Sequence, residues 1–128
     1  MTHTDVYDRS FTVGDHAAGL DECAHALSYA TRWIRNPGEI DRVAANLSAT
    51  MAKFPQAFES MRVWLLEELA AGRIADGRGP DSTSESVHAA DKALEQAAAA
   101  AWQLHNLLEQ LHGHLCGLST AQGVIDSA

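Results

Sequence analysis

Cysteine is nearly absent from this chain of 128 residues. Cys23 and Cys116 are the whole complement. Two cysteines cannot build the disulfide framework of a small secreted domain, so a reduced chain in the cytoplasm is expected. Basic residues are also scarce: nine Lys and Arg stand against 17 Asp and Glu, for a net charge of −8. Nucleic-acid binders neutralise phosphates with grouped Lys and Arg, and no such group occurs here. The same shortage disfavours docking on anionic lipid. No apolar run approaches the roughly 20 residues that span a bilayer. The first residues, Met1-Thr-His-Thr-Asp5, lack the basic and apolar regions of a secretory leader.

Aromatic residues make up only 6% of the chain, whereas alanine occurs 23 times. That balance favours helix over sheet. The expected fold class is all-α, with an irregular arm over 1–14, one helical bundle domain over 15–118 and a loose tail over 119–128. Tyr7, Phe11 and Val13 are the apolar residues of the arm.

The spacing predicts three helices. The first, about 15–35, starts at Asp15 as N-cap and carries Leu20, Ala24, Leu27, Ala30 and Ile34 at steps of three and four. The second starts at Asn36-Pro37 and carries Ile40, Ala44, Leu47, Met51, Phe54, Phe58, Met61, Leu65 and Leu69. Pro55 falls inside this ladder without disturbing its period. The flanking residues contain no Gly, Asn, Asp or Ser for a reversal, so a kink at Pro55 is expected. A Gly- and Ser-rich loop follows over 71–84. The third helix, about 83–117, is expected to start with a Ser82–Glu85 capping box. It carries Val87, Ala90, Leu94, Ala97, Ala101, Leu104, Leu108, Leu111 and Leu115.

Helices two and three, joined by one loop, form a long antiparallel hairpin in this reading. Phe54 and Phe58 then lie opposite the alanines of 97–101. The hairpin, with one shorter N-terminal helix, leaves apolar surface uncovered. A homodimer that completes the bundle is the expected assembly. Trp33, Trp64 and Trp102 are expected in the core. Trp102, one turn before His105, is also a candidate partner-binding pair with it, because Trp is enriched at binding hot spots.

Three Glu-x-x-His pairs occur, at Glu22/His25, Glu85/His88 and Glu109/His112. They resemble the ligand motif of di-iron carboxylate bundles. Helix phase places Glu22 and His25 opposite the apolar stripe of their helix, and Glu85 and His88 away from the leucines. Ligands on outer faces cannot share one interior metal pair. A different row, His105, Glu109, His112 and Cys116, is spaced four, three and four along one flank. All four are transition-metal ligands by type. One helix cannot wrap a single ion with all four, so a metal site here needs a second helix or a second copy.

No Gly-x-Ser-x-Gly, phosphate loop or dinucleotide fingerprint is present, and neither cysteine lies in an activating motif. The sequence therefore points to a non-enzymatic helical module for protein–protein interaction or oligomerisation, with no required cofactor. A metal- or ligand-binding bundle is the alternative. Seven Arg against two Lys, with abundant alanine, suggests a GC-rich bacterial source.

Overall fold

A computed structural model describes residues 11–119 and residue 121. Tyr7 and most of the expected arm and tail lie outside the described residues. Among the described residues there is no strand, and no helix is long and apolar enough to cross a membrane. The chain divides into two compact units, Met1–Arg35 and Asn36–Ala128.

The first unit holds helix α1, Val13–Ala30, followed by a short 3-10 turn, Thr31–Trp33. Thr12, not Asp15, is the N-cap. The Thr12 hydroxyl accepts from the Asp15 amide, and the Asp15 carboxylate accepts from the Thr12 amide. This reciprocal pair is a capping box with Asp in place of the usual Glu. The Thr12 amide, and after it the Thr12 hydroxyl, hold the Asp15 carboxyl below its ordinary value of 3.8. The helix stops at Ala30, so Ile34 is in extended backbone past the 3-10 turn and is exposed. Leu27 is half-buried, and no side chain of α1 is fully buried.

The second unit contains α2 (Pro37–Met51), α3 (Phe54–Ala70) and α4 (Pro80–Leu115). Asn36 caps α2 by accepting from the Glu39 amide, and Pro37 fits the first turn, where its missing N–H leaves no vacancy. Where a kink at Pro55 is expected, the helix is interrupted at Ala52 and Lys53, just before the proline, and forms α2 and α3. Pro55 has no N–H for the Met51 carbonyl, and its ring crowds that carbonyl. The turn before it tightens in response, and the Lys53 amide donates to Thr50, three residues back. The Ala49 carbonyl, deprived of that amide, accepts from Lys53 Nζ at 3.1 Å. Ala52 and Lys53 keep right-handed helical dihedrals, so the chain bends without reversing.

Helix α3 ends in a Schellman motif. The Arg73 amide donates to Glu68, the Gly72 amide donates to Leu69, and Gly72 supplies the positive φ of 72°. The loop that follows is tied by Asp76. Its carboxylate accepts from Ser82 Oγ at 2.6 Å and from the Arg78 amide at 2.9 Å, and its own amide donates to buried Thr83 Oγ1. Helix α4 begins three residues earlier than the sequence implied, with Gly79 at φ 118° as N-cap and Pro80 in its first turn. Ser82 bonds to Asp76, so the Ser82–Glu85 capping box does not form.

Side-chain pairs fix how α2 and α3 lie along α4. Asp41 meets His112, Ser48 meets His105, and Arg62 meets Asp91. Each pair of numbers has the same sum, so residue numbers rise along α2 and α3 as their partners' numbers fall along α4. The buried centre is made of small side chains: Ala44, Ser48, Thr83, Val87 and Ala101. Ile40, Leu47, Met51, Phe54, Phe58, Leu65, Leu94, Leu108 and Leu115 are half-buried beside it.

Three residues of the apolar ladders in this unit, Met61, Leu104 and Leu111, are expected in the core but are exposed. For Leu104 and Leu111 the cause is helical drift. A strict seven-residue repeat turns about 20° per heptad on a straight helix. The ladder Ala90, Ala97, Leu104, Leu111 rotates off the line facing α2, which Ala101, His105, Leu108 and His112 take instead. Met61 is one position from Arg62, which is the residue that reaches α4.

Candidate functional site

The chemistry-bearing side chains of the second unit gather on one flank of the α2/α3–α4 contact. Ser48 is the centre of the largest group and is only 2% exposed. Its hydroxyl donates to Glu109 Oε1 at 2.9 Å. His105 Nδ1 is 2.9 Å from the Ser48 hydroxyl and 2.9 Å from the Ser48 carbonyl. A carbonyl only accepts, so Nδ1 carries the proton and donates. Neutral His105 therefore has its lone pair on Nε2, which lies 4.0 Å from Glu109 Oε1.

This group contains Ser, His and Glu but lacks the polarity of a nucleophilic triad. The histidine donates to the serine instead of accepting its proton. The hydroxyl is also closed off by the two helices. Its role is to tie the middle of α2 to α4 with bonds that leave no buried side-chain N or O atom unpaired among the described residues.

Two further ties lie on the same flank. His112 Nδ1 donates to Asp41 at 2.5 Å. Arg62 donates to Asp91 at 2.8 Å and to Glu95 at 3.3 Å, and also pairs with Glu59 in its own helix. The Asp91 hydrogen bond, supported by the charges around it, holds the guanidinium above its ordinary value.

The row His105, Glu109, His112 and Cys116 is thus divided in the structure. His105 and Glu109 converge on Ser48, and His112 turns to Asp41. Cys116 is exposed and leans on the Gly113 carbonyl of its own helix at 3.5 Å. Both cysteines are free thiols. Among the described residues, no three His, Cys, Asp or Glu side chains gather closely enough to hold a metal ion. The residues that could contribute to one are His105, through Nε2, and its neighbour Glu109.

Trp102 is 48% exposed and meets His105 edge-on, with ring centroids 5.6 Å apart. Trp33 and Trp64 are also exposed, contrary to the expected core placement of all three. Trp33 packs on Tyr29 within its own unit, at 4.8 Å between ring centroids. Trp64 borders a shallow depression along α3 with Gln56, Glu59, Ser60, Val63 and Glu67. A single line of helix contact in the second unit buries one face of each partner, and Trp64 and Trp102 lie off that line.

Among the described residues, the ionic ties named above leave the other flank of α4 without one. It carries exposed Leu104, Leu107 and Leu111. Sequence reasoning identified His105, Glu109 and His112 as a polar row. It missed Ser48, Asp41 and Asp91, the groups that partner histidine and arginine from the facing helix. These partners lie 29 to 71 positions away in the sequence, and no local spacing marks them.

Compared with known proteins, the chain matches no family model, no curated protein and no solved structure.

Proposed function

We propose that this protein is a non-enzymatic helical module for protein–protein interaction, an acidic adaptor or regulatory protein of the bacterial cytoplasm. In this reading α2, α3 and α4 form an antiparallel hairpin, and a second copy of the chain completes the bundle. The observation that carries the proposal is the run of exposed leucines on α4 beside a buried centre made of small residues. Exposed apolar side chains scattered singly need no explanation, but a contiguous set on one helix face marks a contact surface. The charge of −8 supports a protein partner rather than nucleic acid or anionic lipid.

Light scattering on untagged, metal-free protein tests this reading. A stable dimer supports it, and a monomer at every concentration removes it. One observation favours a second reading. The His105 Nε2 lone pair and the Glu109 carboxylate face each other and reach solvent, which is half of a zinc-type donor set. Two more donors would come from another copy. A monomer that dimerises only on adding zinc would make this pair, with His112 or Cys116, the functional site.

A further inference from the structure

We infer that the second copy docks along the uncharged flank of α4, with the two α4 helices antiparallel and crossing at Ala100. The inference rests on the self-association proposed above and adds the face, the direction and the register.

The charge map of α4 supplies the face. Its six charged residues are Asp81, Glu85, Asp91, Lys92, Glu95 and Glu109. At about 100° per residue they fall within roughly 120° of arc. The remaining arc is neutral along a helix of 36 residues. The pairs with α2 and α3 cover the part centred on Ala101, His105, Leu108 and His112. The uncovered part lies about 60–120° round from Ala101, on the side away from Asp91 and Glu109. It carries Ala89, Ala93, Ala100, Leu104, Leu107 and Leu111, all exposed, Leu107 to 53%. The flank of α2 away from Asp41 and Ser48 borders the same side and adds half-buried Val43 and Leu47.

The order of residue sizes supplies the direction. Small side chains occupy the N-terminal half of this seam and leucines the C-terminal half. A parallel pair would set leucine on leucine at one end and alanine on alanine at the other. Interhelical distance follows side-chain size over about 8–10 Å, so parallel helices would splay. An antiparallel pair crossing at Ala100 sets Leu111 on Ala89, Leu107 on Ala93 and Leu104 on Gln96. Leu111 and Leu107 then each face an alanine, while Leu104 meets the longer Gln96 close to the crossing point, so the two leucine-rich ends no longer coincide. The same register sets Glu85 beside His114 of the other copy, an ion pair when the imidazole is protonated, and leaves neutral Gln103 at the rim.

The area suffices for a stable dimer. The seam from Ser86 to Leu111 is roughly 37 Å long, and two helices side by side are roughly 20 Å wide. Their product is near the ~800 Å² per partner of a standard interface. Self-complementarity about a twofold axis is also what an isologous dimer requires.

Cysteine cross-linking in a C23S/C116S background tests the register. With Ala100→Cys, oxidation is expected to link two copies rapidly, because residue 100 meets its own counterpart. Ala93→Cys is expected not to link to itself, since its counterpart lies about 21 Å away along the axis. A mixture of A93C and L107C chains is expected to give the mixed dimer. The double variant L107E/L111E places charge in the seam. It is expected to weaken self-association on the order of 100-fold or more. Its helical circular dichroism should match that of the unsubstituted chain, because both leucines are exposed in the single copy.

Self-linking of A93C and A100C at equal rates would mean a parallel seam and would overturn the inference. A dimer that persists in L107E/L111E would place the contact elsewhere and overturn it as well, while leaving self-association intact. A monomeric unsubstituted chain would instead remove the reading on which the inference rests.

Discussion

Removing the Ser48 hydroxyl should weaken the fold by an amount the geometry allows to be estimated. In Ser48→Ala the bond to Glu109 is lost. A hydrogen bond to a charged acceptor is worth about 1.5–3 kcal/mol when both groups are withdrawn from water. The Glu109 side chain is 55% exposed and regains water readily, which lowers the figure to about 1 kcal/mol. The His105 N–H keeps the Ser48 carbonyl at 2.9 Å, so no buried donor is orphaned. Ser48→Leu acts differently. It forces two additional heavy atoms into a contact that is 2% exposed and adds about 1–3 kcal/mol of overpacking. Urea unfolding followed by circular dichroism measures both, at one fixed protomer concentration because association shifts apparent stability. The double variant S48A/E109A should cost less than the sum of the single ones, by about 0.5–1 kcal/mol. An S48A change under 0.3 kcal/mol with additive energies, or an S48L variant as stable as the parent, would refute the proposed role of Ser48.

Asp76 should confer acid sensitivity. Bonds from Ser82 first, then from the Arg78 amide and Thr83, hold its carboxyl below 3.8. A folded value below the unfolded one gives stability that is present above about pH 3.8 and lost as pH falls through the folded value. Asp76→Ala should therefore lower the melting temperature at pH 6 and have a smaller effect at pH 2, read by thermal melts across that range. Gly79→Ala should destabilise by about 1–3 kcal/mol, because φ of 118° with ψ of 168° is open only to glycine; urea midpoints check it. Ala101→Leu should cost about 1–3 kcal/mol because Ala101 lies buried against the facing helices. Ala99→Leu, exposed and off both contact lines, should stay within about 0.5 kcal/mol.

Helix class and the major boundaries were legible because they depend on local chemistry. Asn36-Pro37 reads directly as a helix start, and Pro55 announces a bend within a ladder that continues past it. The identity of the core was not legible. Periodicity marks a face by its large apolar residues, whereas two helices in close contact put their smallest side chains on the line of nearest approach. Ala44, Ser48 and Ala101 hold that line, and leucines and phenylalanines flank it. A serine in such a place looks like a solvated interruption until its partners, His105 and Glu109, are seen across the contact. The Ser82–Glu85 box failed for a related reason. A local motif competed with Asp76, a longer-range acceptor that takes the Ser82 hydroxyl. The polar row on α4 was found from spacing alone. Its division between Ser48 and Asp41 depends on residues more than 50 positions away.

Sedimentation equilibrium of the untagged, metal-free chain, run beside its L107E/L111E variant, tests the central claim most directly. The account predicts a species of twice the 13.8 kDa chain mass for the parent and a helical monomer for the variant. A parent that stays at the single-chain mass across the micromolar range would contradict it.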